Sequence, residues 1–495
     1  MADITSGLRE RIGAVLAIDP SAPAIEFEGQ WHSWGDLRAT ADAVAALLPA
    51  PGTQVGIFVR SRPVPVALLF GVLSAGGCVV AINPQRGEER TRQDVAELDL
   101  AFLAGEDADI ETYADGVSGP LLISCDDVGA GVTVTRTAAA WDGPLRPGVA
   151  VRMLTSGTTG PPKRIDLAYE TLVRVLAGAK HYEASTPSSL SLRRGVAVVN
   201  SPLVHLGGLF RVLQCINDGR SFSLLERFTV DGWIDAVRRH RPKTVSLVPA
   251  ALRMVLEADL DPADLSSVLS VVSGTAPLSP DDADAFYDKY GVPVLISYAA
   301  TEFGGGVAGW NLEDHQTYWS AKRGSVGRAH AGCKLRIVHP DSGALLPANQ
   351  EGLLEVKAGQ LGADAPWIRT TDLARIDEDG FLFIAGRSDQ AIIRGGFKVH
   401  PDDVSAALER HPRVRGASVV GAEDERLGAV PVAVVELRPG PPVQPGELID
   451  FISGSLARYE VPTRVLLVDT LPRTPSAKVD LETVRKLVAE SLSEE

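Results

Sequence analysis

A chain of 495 residues, 45% hydrophobic and 22% charged, is too long for one ordinary core and fits a large domain, or a pair of subdomains, plus a smaller one. Its composition excludes a disordered or fibrous protein. The 48 basic against 63 acidic side chains leave a formal charge of −15, which repels nucleic acids and anionic membranes alike, so neither is expected as a partner.

The N-terminal MADITSGLRERIG lacks the basic stretch and apolar run of a secretory signal, so the mature chain is expected to start near Met1 and to be cytoplasmic. Cys78, Cys125, Cys215 and Cys333 are far apart without a CxxC pair; that fits a reducing compartment better than a zinc site or a disulfide framework. Val55 to Val59 reads as a strand. Pro65 to Ile82 is apolar and about long enough to span a membrane, but Gly76 and Gly77 interrupt it. A buried helix through Ala75, a turn and a buried strand from Cys78 to Ile82 account for it, and no membrane span is expected.

Met153-Leu154-Thr155-Ser156-Gly157-Thr158-Thr159-Gly160-Pro161-Pro162-Lys163 follows a strand-like run and gathers four hydroxyls, two glycines and a lysine. These are the parts of a polyphosphate cradle: glycines admit backbone N–H groups to the oxygens, hydroxyls donate, and lysine adds a point charge. Pro162 stands where a Walker loop needs its second glycine. Three or four of these residues alone would make an ordinary surface turn.

Downstream, the apolar runs Leu121 to Ser124, Val196 to Asn200 and Thr244 to Val248 alternate with helical segments such as Val230 to His240, which predicts α/β layering. Gly324 to Ala385 switches to close-spaced strands with turns at Pro340 to Gly343, Asn349 to Gly352 and Asp377 to Gly380. A polar junction, Gly386-Arg387-Ser388-Asp389-Gln390, then suggests a boundary dividing residues 1–388 from 389–495. Beyond it Pro401 opens a helix with Asp402 and Asp403 in its first turn, and His411-Pro412 stops it. Val414 to Val420 and Val432 to Leu437 read as strands, and Arg438 to Gly446 as a surface loop. The expected fold is α/β: a large N-terminal domain of layered α/β subdomains plus a β-rich subdomain, and a small mobile C-terminal α+β domain.

Four further segments follow the loop in order: Ser273-Gly274-Thr275-Ala276-Pro277-Leu278, Ser297-Tyr298-Ala299-Ala300-Thr301-Glu302, Arg369-Thr370-Thr371-Asp372 with Gly386-Arg387-Ser388-Asp389, and Leu471-Pro472-Arg473-Thr474-Pro475-Ser476-Ala477-Lys478. Together with the loop, they resemble the adenylate-forming superfamily, which includes acyl- and aryl-CoA synthetases, the adenylation domains of peptide synthetases, and firefly luciferase. The chain is most similar to a stand-alone acyl-CoA synthetase, and five motifs in order, spanning roughly Thr155 to Lys478, are far more specific than one loop.

The resemblance implies roles residue by residue. Thr155, Ser156, Gly157, Thr158, Thr159, Gly160 and Lys163 would cradle the phosphates of ATP, and Gly274, Thr275 and Ala276 would lie beside the adenine. Tyr298 would stack on the adenine, Thr301 would bond the α-phosphate and Glu302 would hold Mg²⁺. Asp372 would grip the ribose hydroxyls with Arg387 nearby, and Lys478 would contact the carboxylate and α-phosphate. Asp389 matches the family's hinge, a place expected to have few contacts. Gly395 and Gly396 would flank the pantetheine arm of coenzyme A. Taken singly, most have a blander reading: a solvated Glu302 or Lys478, or an Asp372 that caps a turn.

Several positions depart from the family pattern: Arg164, Ala299, Thr371 and Ala477 replace common glycines, and Ala168-Tyr169 replaces a small-hydroxyl-then-His pair. These put the subfamily in doubt more than the chemistry.

Asn200 to Leu209 matches a segment whose histidine, here His205, lies near the acyl site. No acidic residue stands there to bind a substrate ammonium, so an uncharged acyl chain or ring is expected, bulky, aromatic or aliphatic. His205 is equally compatible with a satisfied core histidine. Gly304, Gly305 and Gly306 would either leave that pocket open or simply make a tight connection. With no carrier-domain pattern after Lys478, the thiol is expected from outside: coenzyme A first, a separate acyl carrier protein second. A homodimer is a candidate assembly. The rivals are a ligase that loads a carrier protein or forms an amide, and a degenerate member that binds without turnover.

Overall fold

A strand with both faces covered must be apolar throughout, and a helix over it must be apolar all round. Residues 54–82 meet both demands. Strands Gln54–Phe58 and Cys78–Ile82 are buried at every position, and helix Pro63–Ser74 between them is buried from Pro63 to Leu73. Gly76, at φ +74°, makes the turn between helix and second strand, where a side chain would be strained. The apolar run is thus a buried strand–helix–strand unit of the core. Among the described residues no helix is long and apolar enough to cross a membrane.

The computed structural model describes residues 4–98, 100–114, 117, 120–135, 144–154, 163–178, 190–395, 397–424, 426–474 and 477–493. The two strands just named lie within a seven-stranded sheet. Its parallel middle also takes in Phe102–Gly105, Leu121–Ser124 and Val149–Leu154, and antiparallel strands Thr133–Val134 and Arg164–Ala168 close its edges. A four-stranded sheet joins Arg193–Val199, Arg220–Leu224, Pro23–Phe27 and Gln30–Ser33.

A third sheet positions the site. Thr244–Ser246, Ser270–Ser273 and Val294–Ala300 run parallel, and Gly305–Gly309 returns antiparallel to the last. Ser273 is paired with Ile296, so Gly274-Thr275 and Tyr298-Thr301-Glu302 emerge together at the carboxyl ends of neighbouring strands. That crevice is where open α/β sheets bind ligands. Next comes an antiparallel sheet of Lys334–Val338, Gly352–Lys357, Ile368–Ile376 and Leu382–Arg387, the expected β-rich part.

The last sheet orders Phe397–Val399, Ile392–Arg394, Gly428–Leu437 and Val414–Asp424, with Arg464–Val468 parallel to Gly428–Leu437. Helices Pro401–Glu409, Pro445–Ser453 and Leu481–Ser493 accompany it. The expected fold class is therefore observed. Two details differ. The hairpin strands are longer than the sequence suggests, because Gly421 and Pro431, which read as breakers, sit opposite each other within the ladder. The supposed loop also gives way to helix at Pro445, with proline in its first turn.

Candidate active site

The strand ends are crowded before any side chain is added. A Cβ on Gly274 would lie 2.9 Å from the Ser297 carbonyl oxygen, so only glycine lets the two segments pass. Thr275 beside it is held at φ +72°, a left-handed conformation that a β-branched residue adopts at a cost of about 1–3 kcal/mol. After Ala300, Thr301–Phe303 forms one 3₁₀ turn capped by Gly304, and Glu302 is exposed on it. The register of strand Val294–Ala300 with Gly305–Gly309 slips between Tyr298 and Ala299.

The Tyr298 hydroxyl donates to Asp372 Oδ2. Asp372 lies directly across the strands from Arg387, whose guanidinium makes a two-pronged bond of 3.0 and 2.8 Å to Asp389. Burial raises the Asp372 carboxyl above its ordinary range, while the Tyr298 bond and the Arg387 charge oppose the rise. Burial, with the Asp372 charge second, pushes the Tyr298 phenol up, so it stays a donor at neutral pH. Ser388 Oγ donates to the Thr371 carbonyl at 2.9 Å. The segment at Asp389 is therefore better bonded than the few contacts expected of it.

Lys478 comes from the other domain. Thr474 N donates to the Lys478 carbonyl and Ala477 N to the Thr474 carbonyl, both at 2.8 Å, which closes a tight turn. Ala477, where the family commonly has glycine, takes φ +61°. Burial lowers the Lys478 ammonium's pKa, the Glu302 charge opposes this and the Arg387 charge adds to it. The turn thus holds a cation within electrostatic reach of Glu302, which follows the third sheet's central strand.

His205 precedes helix Leu206–Asp218. Burial, then the nearby Lys478 charge, lower its pKa to about 4, so the ring is neutral at pH 7. Among the described residues its buried Nε2 has no hydrogen-bond partner.

Hydrogen bonds and strand pairing join Tyr298, Asp372, Arg387 and Asp389, while Glu302 lies within electrostatic reach of Asp372 and Lys478, and Lys478 within reach of His205. Lys163 is exposed just before strand Arg164–Ala168. Thr155, Ser156, Gly157, Thr158, Thr159, Gly160 and Gly396 lie outside the described residues. Gly395, at φ +57°, is tied by its N–H to the Leu427 carbonyl at 2.7 Å. Gly304 and Gly305 are buried, and a Cβ on Gly304 would lie 2.6 Å from Thr171 Cγ2. Contacts therefore favour the tight connection over an open pocket.

Two departures acquire reasons. Arg164 pairs with Asp94 at 2.6 Å and donates to the Ala81 carbonyl at 2.9 Å, bracing its strand. Tyr169 donates to the Leu73 and Gly77 carbonyls at 3.0 and 2.7 Å. Both are structural.

Sequence reasoning missed Asp402 and His400. Asp402 is a helix-dipole residue in sequence, but a Cβ on Gly386 would lie 3.4 Å from its Oδ2 and 4.0 Å from His400 Nδ1. Burial raises the Asp402 carboxyl, with His400 and Arg387 opposing. The packing of helix Pro401–Glu409 against strand Leu382–Arg387 creates this contact.

The model of the AMP-binding enzymes matches residues 14–362, and that of the AMP-binding enzyme C-terminal domain matches residues 403–478. An indoleacetate–CoA ligase of Aromatoleum aromaticum is 28% identical over 97% of this chain and 98% of its own length. The 4-coumarate–CoA ligase-like 8 of Arabidopsis thaliana is 30% identical over 90% and 86%. The solved amide bond synthetase McbA of Marinactinospora thermotolerans superposes with a TM-score of 0.79 at 26% identity, covering 97% of this chain and 99% of that one.

Proposed function

This chain belongs to the family of AMP-binding enzymes, and from that premise we propose that it is an ATP-dependent acid–thiol ligase acting on an aromatic or other bulky carboxylic acid. The proposal rests on the buried Lys478 ammonium, which lies within electrostatic reach of Glu302 and Arg387. A cation there sits where negative charge would build up as a carboxylate attacks a phosphate.

In the first half-reaction a carboxylate oxygen attacks the α-phosphorus of ATP, the bond to the bridging oxygen breaks, and pyrophosphate leaves with its electron pair. Lys163, Thr155, Ser156, Gly157, Thr158, Thr159 and Gly160 cradle the phosphates; Thr301 and Lys478 hold the α-phosphate. Asp372, oriented by Tyr298 and Arg387, accepts from the ribose hydroxyls, and Gly274, Thr275 and Ala276 flank the base beside the Tyr298 ring. The exposed Glu302 carboxylate is a hard oxygen donor that suits Mg²⁺ brought in on the nucleotide. In the second half-reaction the coenzyme A thiolate attacks the acyl carbon and AMP leaves. The chain contributes position, charge and exclusion of water, without a covalent enzyme intermediate.

His205, with the backbone at Gly304 and Gly305, borders the acyl site. Its neutral ring and the absence of a nearby acid in the 200–209 segment favour an uncharged acyl group, as do relatives whose names specify indoleacetate and 4-coumarate. Residues 389–495 form the small domain, pivoting at Asp389 so that Gly395 and Gly396 approach the pantetheine arm. The enzyme works in the cytoplasm, as a monomer or homodimer.

Aliphatic, aromatic and polycyclic acids should be scored by pyrophosphate release with and without coenzyme A, with products weighed when coenzyme A, a carrier protein or an amine is offered. Acid-dependent release with an acyl-CoA product is expected. No release with any acid overturns the proposal. Amide as the sole product would favour the second reading, an amide synthetase, to which the likeness to McbA lends weight.

A further inference from the structure

Helix Pro249–Glu257 of the large domain offers Arg253 and Glu257 one turn apart, and both reach the small domain. Arg253 donates to Asp282 at 2.7 Å and to Glu409 at 2.8 Å. Glu257 accepts from Arg415 at 2.6 and 3.3 Å.

The second pair does not stop at the boundary. Arg415 also donates to Glu436 at 3.3 Å. Glu436, its side chain 4% exposed, accepts the Leu471 N–H at 2.9 Å and lies 3.8 Å from Arg473. Arg473 in turn donates to the carbonyl of Ala477 at 3.3 Å, the residue before Lys478. A continuous run of charged contacts thus joins a large-domain helix to the turn that carries the lysine.

We propose that Glu257 is a positioning residue for the adenylation half-reaction, acting through Arg415, Glu436 and Arg473 to hold the Lys478 turn in the crevice. This rests on the ligase reading above. The turn needs holding: the Lys478 ammonium gives up hydration on burial and Ala477 sits in a left-handed conformation. Glu436 is a buried charge whose partners are shared out, so moving Arg415 redistributes the pull on Arg473 and on the Leu471 N–H. Of these links, only Glu257–Arg415 crosses between domains; the others lie within residues 389–495 and survive any rotation of the small domain. Glu257 therefore acts in one pose only.

Glu257→Gln, Arg415→Gln and the double variant should be compared in acid-dependent pyrophosphate exchange and in thioester formation from premade acyl-adenylate. Exchange kcat is expected to fall about fivefold in each single variant, a loss typical of one partly exposed ion pair, and no further in the double variant. Thioester formation should stay level or quicken. Equal losses in both half-reactions, or single losses that multiply in the double variant, overturn the proposal.

Spin labels on the two domains give a reading that needs no turnover. Glu257→Gln should deplete the short interdomain distance, and an unchanged distribution overturns the proposal. If the wild-type enzyme releases no pyrophosphate with any acid, the ligase reading fails while the distance measurement still decides the role of Glu257.

Discussion

The ribose corner and the lysine turn are built by different means. Tyr298, Asp372 and Arg387 are fixed by strand register: Asp372 faces Arg387 across one ladder, and Tyr298 lies near the end of strand Val294–Ala300 in the next sheet. Lys478 lies on the small domain, which meets the large one through Arg253–Glu409 and Glu257–Arg415 among other contacts. Groups set by register are present in every pose of the small domain. A group delivered by docking belongs to one pose. On the ligase proposal, the nucleotide would be held throughout while the charge that assists attack on its α-phosphorus is withdrawn.

The largest expected effect tests that division most severely. Lys478→Ala should lower acid-dependent pyrophosphate exchange about 10³-fold, the scale of losing one preorganised charge-stabilising group. Thioester formation from premade acyl-adenylate should be spared. Equal loss in both would place the lysine in both poses and dissolve the contrast.

His205 comes next, since the lysine's charge reaches it. Its folded pKa is about 4 against an ordinary 6.5. Between those values the unfolded chain binds a proton that the folded chain refuses, so the ring's contribution to stability is full above pH 6.5 and is lost as pH falls toward 4. The loss is about 3 kcal/mol when complete. Urea unfolding at pH 7 and pH 4.5 should show a smaller acid penalty for His205→Phe than for the wild type. An identical penalty would mean that the ring is not held neutral by its site.

Asp372→Asn probes the register-built half. The amide keeps an acceptor for Tyr298 but loses the charge opposite Arg387. Both half-reactions should weaken together, each by about tenfold in kcat/KM, the value of a charged hydrogen bond. Loss confined to pyrophosphate exchange would show that the ribose corner is also pose-dependent.

How legible each half was in sequence follows from the same distinction. Helix Val230–His240 and strand Cys78–Ile82 are observed where periodicity places them, because local pattern, caps and glycine turns decide such elements. The order of the motifs also singled out Tyr298, Glu302, Asp372 and Arg387, which register then brings together. What tertiary packing decides was not legible. The Gly421–Pro431 pair reads as two breakers until the strands align. Arg164 and Tyr169 look like defects in a phosphate loop until their partners Asp94, Leu73 and Gly77 come into place. The run from Glu257 to Arg473 spans more than two hundred positions and has no local signature at all.

Ala477→Gly is the smallest expected effect and the one aimed most narrowly at the delivered half. At φ +61° an alanine Cβ costs about 1 kcal/mol relative to glycine, which has no such penalty but loses more chain entropy on folding. In the docked pose the network holding the turn offsets that strain; in any pose where Glu257 lets go of Arg415, the turn is freer to relax. Glycine should therefore add little to overall stability, under about 1 kcal/mol in urea unfolding, and should soften the dependence on docking, so that Glu257→Gln costs less pyrophosphate exchange in the Ala477→Gly background than in the wild type. An undiminished cost would show that Glu257 acts on the lysine by fixing the domain as a whole and not by restraining its turn.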